Sequence, residues 1–270
     1  MADIRDTLFH DIADKRFRAV ITAERAGVLA GREEALARAK ELGIDLEICK
    51  KDGEDLSHGE RFANFAASPK TIAMAEEQLI GTLAKASGIA TASRTAVMLA
   101  DGRAKIVSGA WKKMPPELKH MVRQAVSVGG ASFRITDPPM LYMDKNFIRM
   151  LGSVEKALAA ASSIEGTKKI VQLRGEFADI AEETRQAVRG GASILMVDTG
   201  RREDLIACRR TLEALGCRKQ VQLAFAGNIR MEEIPEVLDL GPDILDIGKE
   251  IIDAPLLDMR LDVIGEEQYE

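Results

Sequence analysis

Lys112, Lys113, Arg134 and Lys145 lie in or just after short runs of β-branched and apolar residues. Cations so placed can hold carboxylates and phosphates. Two glycine turns, Ala226-Gly-Asn-Ile and Ile247-Gly-Lys, close the last two runs of this kind. Glycine lets a backbone approach an anion closely. Strand ends followed by helices can also direct N–H groups toward a phosphate. Gly227, Asn228, Gly248 and Lys249 are therefore candidate phosphate-binding residues, with an ordinary strand-to-helix turn as the other reading of the same glycines.

Other reactive residue types fit less well. His10, His58 and His120 fall in different expected elements, which disfavours a metal or catalytic histidine. Cys49, Cys208 and Cys217 are odd in number and lack a Cys-x-x-Cys pair. They are expected to be buried free thiols in a reducing compartment, not a disulfide or zinc framework. Trp111 sits beside the lysine pair and could stack on a ring or seal a cavity mouth. Arg94 and Arg174 could supply cations, although surface positions are the commoner fate of arginine.

These residues need a scaffold, and the pattern from about Ala104 onward supplies one. Strands are predicted at Lys105-Ile-Val-Ser, Ser132-Phe-Arg-Ile, Met140-Leu-Tyr-Met, Lys169-Ile-Val-Gln-Leu, Ser193-Ile-Leu-Met-Val, Val221-Gln-Leu-Ala-Phe and Asp243-Ile-Leu-Asp-Ile. Amphipathic helices are predicted over 153–161, 177–188, 201–215 and 231–238; in the third, Leu205, Cys208, Leu212 and Leu215 recur at helical spacing. Repeated strand-then-helix units imply a mostly parallel sheet closed, or nearly closed, into a barrel. Before this point 18–23 and 46–49 read as strands and 33–42 as a helix. Lys51-Asp-Gly-Glu reads as a turn, and 69–99 as a long helix interrupted near Ser87-Gly88. The expected fold class is α/β: an open α/β sandwich over 1–103, on which 255–270 packs, and a β/α barrel over 104–254.

The composition limits the partners. Among 270 residues the net charge is -5 and no lysine or arginine block is long. Nucleic acid is therefore not an expected partner. No stretch approaches the ~20 apolar residues of a membrane span, so no membrane association is expected and the cytoplasm is the default location.

Three stretches in order carry a resemblance. They are Ala26-Gly-Val-Leu-Ala-Gly with Lys51-Asp-Gly, then Ser87-Gly-Ile-Ala-Thr, then Ala125-Val-Ser-Val-Gly-Gly with the later Gly152-Ser-Val. Together they resemble quinolinate phosphoribosyltransferase (nicotinate-nucleotide pyrophosphorylase), including its relative found with molybdenum transport genes, from about Arg18 to Val263. The resemblance implies the sandwich-plus-barrel architecture and a homodimer in which one subunit's sandwich caps the other's barrel. It also implies transfer of a phosphoribosyl group from phosphoribosyl pyrophosphate to quinolinate, with Mg²⁺ and loss of carbon dioxide.

The matching positions depart from that pattern. Where the family places an arginine ten residues before Ser87, this chain has Glu77, an anion that would repel a dicarboxylate. Lys112 and Lys113 stand for an arginine-lysine pair, and Phe133-Arg134 for a histidine-arginine pair. In Asp144-Lys145-Asn-Phe the lysine and aspartate have exchanged places, which would turn them to opposite faces of a strand. Gln172 stands where the family has a glutamate, and Asp198 keeps its aspartate.

The site expected on these grounds has Lys113 and Asp198 as catalytic residues and Lys112, Arg134, Lys145, Gln172 and Glu77 as substrate-binding residues. Gly227, Asn228, Gly248 and Lys249 would hold a phosphate. No metal ligand set is assigned, though Mg²⁺ remains possible as a cofactor. The expected function is a divergent pyrophosphorylase-like enzyme acting on a phosphorylated sugar or other phosphorylated small molecule, with an acceptor other than quinolinate. The alternative is a catalytically inactive member serving as a ligand-binding or assembly protein.

Overall fold

A computed structural model describes residues 3–267, so the extreme ends of the expected domain spans, 1–2 and 268–270, lie outside the described residues. The chain forms two compact units. One holds the described residues up to Arg94, Met114–Gly130 and the described residues from Asp253 onward; the other holds Thr95–Lys113 and Ala131–Ile252. The segment 114–130, expected in the barrel, belongs with the first unit.

In the first unit β1 (Phe17–Ala23), β3 (Glu47–Ile48), β5 (Arg61–Ala67) and β12 (Met259–Glu266) form an antiparallel sheet in the order β12-β1-β5-β3. A short ribbon pairs β2 (Gly27–Val28) with β4 (Asp55–Leu56). The turn at Gly53 has φ +90°, which only glycine adopts freely.

The helix Pro69–Ala100 opens on a proline, whose missing N–H is unneeded there, and turns Ile72, Ala75, Leu79 and Leu83 into the core. It runs without the interruption expected at Ser87-Gly88. The reason is packing: a Cβ on Gly88 would lie 2.0 Å from the Pro255 carbonyl oxygen. Glycine in mid-helix costs roughly 1 kcal/mol against alanine. Here it is the condition for close approach of another backbone.

Gly129 repeats the device against the same helix, with a built Cβ 2.3 Å from the Ala90 carbonyl oxygen. That contact, with Val122, Ala125 and Val126 buried on the helix Lys119–Val128, holds 114–130 in this unit. Arg94 fastens the same corner by donating to the carbonyls of Gly129 and Gly53.

In the second unit six parallel strands follow one another around a single sheet in the order β6-β11-β10-β9-β8-β7. They are β6 (Lys105–Val107), β7 (Met140–Met143), β8 (Lys168–Leu173), β9 (Ile194–Asp198), β10 (Gln222–Ala226) and β11 (Ile244–Asp246). Every second residue turns inward: Val107, Ile170, Ile194, Met196, Ala224, Ala226 and Ile244 form one core with Ile135. The alternating set, including Val171, Leu195, Leu223, Phe225 and Leu245, is buried on the other face. Burial on both faces is why these strands read as continuous apolar runs.

The expected strand Ser132–Ile135 is not one. A single bridge joins Ser132 to Val107, and the next carbonyls are taken by side chains, Phe133 by the Trp111 indole at 2.7 Å and Ile135 by Lys105 at 3.1 Å. Helices Val154–Ala160, Ile180–Arg189 and Arg202–Ala214 match their expected places within a few residues. No helix among the described residues is long and apolar enough to cross a membrane.

Candidate ligand site at the carboxyl ends of the parallel strands

Asp198, Ala226 and Asp246 end β9, β10 and β11 and are paired in register, so their side chains share the inward face. Gln172 lies two residues beyond Ile170 on the same face of β8, and Tyr142 opposes Ile170 from β7. The strand ends thus gather two carboxylates, an amide and a phenol around one opening.

Hydrogen bonds fix their orientation. Gln172 Nε2 donates to Asp198 Oδ2, while Gln172 Oε1 accepts the Lys145 N–H at 2.6 Å. Arg174 Nη1 donates to the Asp198 carbonyl at 2.6 Å and to Asp198 Oδ2 at 3.3 Å. The loop carrying Arg174 wraps around the buried Glu183 carboxylate, which accepts N–H bonds from Arg174, Gly175, Glu176 and Phe177 at 2.9–3.4 Å. Glu176 in turn takes both Arg149 and Arg174.

Burial pushes the Asp198 carboxyl above its ordinary range, opposed by Arg174, Gln172, Lys145 and Lys113. It pushes Asp246 up to about 6, with repulsion from Asp198 adding to the shift. The Gly109 N–H and the charges of Lys112 and Lys113 pull the other way. Tyr142 is also raised, chiefly by burial and then by the three aspartates nearby.

The expected residues divide unevenly. Lys112 and Lys113 lie on the 3-10 turn Ala110–Lys113; the Lys112 ammonium stands 4.9 Å over the Tyr142 ring, and both lysines act on Asp246. Lys145, Gln172 and Asp198 meet as described. Lys145 is not on a strand, however, because Asp144 caps the helix Lys145–Leu151 through the N–H groups of Asn146 and Phe147. The exchange of lysine and aspartate therefore makes a helix cap instead of reversing two strand faces. Arg134 stacks on Phe133, whose ring also meets Trp111 edge-on. Glu77 belongs to the other unit, where it is exposed and pairs with Arg5.

Gly227, Asn228 and Gly248 do follow strand ends. Asn228 is exposed at φ +60°, a left-handed conformation that asparagine tolerates. Gly227 at φ +123° has a packing reason of its own, since a Cβ there would lie 2.2 Å from the Gly200 amide nitrogen. The helix expected at Met231 begins as a 3-10 turn, and its α-helical part is only Ile234–Leu238. Its first turn is already capped, with Glu233 accepting the Arg230 N–H at 3.0 Å. It therefore offers an anion little of the expected dipole. Lys249 starts the short helix Lys249–Ile252 and is exposed.

Two residues of the opening were not given their place there by the sequence reading, Arg174 because a surface position was weighed above its use as a cation. Arg174 is bound to Asp198 instead of lying idle on the surface. Asp246 was passed over, although Asp198-Thr-Gly and Asp246-Ile-Gly repeat one Asp-x-Gly pattern at two strand ends. Of the thiols, Cys208 and Cys217 are buried as expected and Cys49 is exposed. Cys208 sits against Thr184, and burial raises it to about 11, which makes it inert near neutral pH.

Comparison with known proteins agrees with this architecture. The model of the quinolinate phosphoribosyl transferase C-terminal domain matches residues 89–262, and that of the N-terminal domain residues 3–87. A protein of Methanothermobacter thermautotrophicus, named "Probable nicotinate-nucleotide pyrophosphorylase (carboxylating)", is 30% identical over 96% of this chain and 95% of its own length. The Rattus norvegicus nicotinate-nucleotide pyrophosphorylase (carboxylating) is 29% identical over 92% of this chain and 82% of its own. In fold, the crystal structure of NadC from Streptococcus pyogenes superposes with a TM-score of 0.82 at 23% identity, covering all of this chain and 92% of that one.

Proposed function

This chain belongs to the quinolinate phosphoribosyl transferase family, and from that premise we propose that it is a glycosyl-transfer enzyme acting on a phosphorylated sugar with an acceptor other than quinolinate. The observation that carries this reading is the charge of the strand-end opening. Asp198 and Asp246 both present carboxylates there, in register on one face. A sugar would meet two hydrogen-bond acceptors there, and the change of acceptor is supported by Glu77 and Phe133, which stand where the resemblance places an arginine and the histidine of a histidine-arginine pair.

In this reading Lys112, Lys113 and Lys145 hold the anionic groups of the donor, and Arg134 adds a cation beside the aromatic pair. Gly227, Asn228, Gly248 and Lys249 line the phosphate end. Gln172 and Arg174 hold Asp198 in place. Positive charge developing at an anomeric carbon would be stabilised by the fixed carboxylates, with no reorganisation at the moment of reaction. Mg²⁺ fits the donor set only in part: two carboxylate oxygens are hard ligands, and phosphate oxygens and water would complete its shell. The metal would supply charge neutralisation on the phosphates. The family resemblance favours a homodimer, with Glu77 replacing the arginine that would otherwise reach the partner's site.

The experiment is a direct assay with quinolinate, phosphoribosyl pyrophosphate and Mg²⁺. The expected outcome is no enzyme-dependent nicotinate mononucleotide, together with a melting temperature raised by phosphoribosyl pyrophosphate alone. A ligand at one hundred times its Kd adds about 2.7 kcal/mol. Product formation that disappears in Asp198→Asn would overturn the assignment of a different acceptor. Light scattering of the same preparation should give the mass of a dimer.

A further inference from the structure

The pair of carboxylates flanking Ala226 has a hydrogen-bonding pattern that points to a ligand. Neighbouring strands are about 4.8 Å apart, so the positions of Asp198 and Asp246, one strand removed, are roughly 10 Å apart with a single methyl group between them. Each carboxylate commits one oxygen to the protein. Asp198 Oδ2 accepts from Gln172 and Arg174, and Asp246 Oδ1 accepts the Gly109 N–H at 3.0 Å. No described residue donates a hydrogen bond to Asp198 Oδ1 or to Asp246 Oδ2.

Gly109 keeps the second of these oxygens clear, because a Cβ built there would come within 2.9 Å of it. Asp246 is half-buried, so a hydrogen-bond donor on a ligand can reach its unused oxygen from outside. The groups that face Asp246 are Gly109 and the lysines Lys112 and Lys113 from the 3-10 turn, Asp198 from β9 and Tyr142 from β7.

The neighbouring residues suggest what the donor is. Gly227 directly follows Ala226, and Gly248 stands two residues after Asp246. A phosphate ester held at these glycines would lay its carbon skeleton over the Ala226 methyl group, between the two free oxygens. The geometry points to Asp246 as a specificity-determining residue that, opposite Asp198, accepts hydrogen bonds from the hydroxyl groups of a phosphorylated sugar. This rests on the proposed occupation of the same opening by a phosphorylated ligand. It also accounts for Gln172: the carboxylate lost from β8, on one side of Asp198, is replaced by another on β11, on the other side. Hydroxyl recognition is thereby moved across the opening.

Titration calorimetry on the full chain at pH 8, with a chelator present, tests the assignment. The probes are ribose 5-phosphate, 2-deoxyribose 5-phosphate and inorganic phosphate. Wild type should bind ribose 5-phosphate at least tenfold more tightly than inorganic phosphate, and the deoxy sugar should fall between them. Asp246→Asn retains an oxygen for the Gly109 N–H but offers an N–H₂ group in place of Oδ2. It should lose the preference for either sugar over inorganic phosphate and keep the wild-type affinity for inorganic phosphate. Asp246→Ser, smaller and neutral, serves as the second variant and should behave alike.

Ribose 5-phosphate binding equally tight in wild type and both variants overturns the inference while leaving the proposed function standing. Parallel loss of sugar and inorganic phosphate binding also overturns it, since Asp246 would then be supporting the site as a whole. Absence of binding to all three probes by wild type removes the phosphorylated-ligand reading and this inference with it.

Discussion

The two ends of the six-stranded parallel sheet treat their charged side chains differently. At the amino ends, Lys105 and Lys168 are exposed and donate to the Ile135 carbonyl and the Thr136 hydroxyl, each at 3.1 Å. At the carboxyl ends, Asp198 and Asp246 are half-buried, and Glu183 is buried with a relative exposure of 2%. Water can replace a lysine's partner at the amino ends. At the carboxyl ends Glu183 is out of water's reach and must be satisfied by the protein, whereas Asp198 and Asp246 each keep an oxygen without a donor among the described residues. Glu183 is the satisfied case and Asp246 the open one.

The largest expected effect follows from Glu183. Glu183→Ala would strip a shared acceptor from four consecutive N–H groups and should cost about 3 kcal/mol, read as a lower urea midpoint. The loop holding Arg174 should loosen with it, seen as faster amide exchange at 174–177. A loss below about 1 kcal/mol would mean that water serves these amides, and the contrast between the two ends would fail.

A smaller effect of opposite sign is expected at Asp246. Its carboxyl is pushed up to about 6 in the fold, against roughly 3.9 in an unfolded chain. The fold therefore favours the protonated form. That contribution is complete below about pH 4 and is lost as pH rises through 6. Asp246→Asn does not titrate, so it should exceed wild type in stability by roughly 2–3 kcal/mol at pH 8 and come close to it near pH 4. Denaturant melts at several pH values supply the test. A difference independent of pH would show that Asp246 is already satisfied.

The smallest effect belongs to the amino ends. Lys168→Ala should change stability by less than about 0.5 kcal/mol and leave ligand affinity untouched, because Lys168 is exposed and its ammonium is served by water in either state. A larger loss would make the two ends alike.

Much of this scaffold was legible in the sequence because burial on both faces writes continuous apolar runs. The runs 169–173, 193–197, 221–225 and 243–247 all correspond to strands. Ser132–Ile135 was misread because its Phe and Ile mimic a strand, while its carbonyls are taken by Trp111 and Lys105. Gly88 was misread because a glycine that breaks a helix and one that admits a neighbouring backbone are the same letter. Lys112, Lys113, Lys145, Gln172 and Asp198, expected together from their positions, are brought to one opening by the fold, but their partners were not legible. Whether Arg174 is idle or bound depends on the loop around Glu183, a contact nine residues along the chain that no local pattern encodes. Asp246 was overlooked because an aspartate near a strand end is ordinary until its register with Asp198 is known.

The pairing of β1 with β12 has a consequence for how the chain is made. β1 occupies 17–23 and its neighbour β12 occupies 259–266, so one long edge of β1 has no partner until about 240 further residues have been synthesised. At roughly 5–20 residues per second this leaves the edge open for some ten to fifty seconds on the ribosome. An unpaired edge invites other strands. The parallel unit has all its strands by Asp246 and can close first. The first unit, begun earliest, is the last to be completed, and a chain stalled before Met259 would emerge with one finished half and one adhesive half.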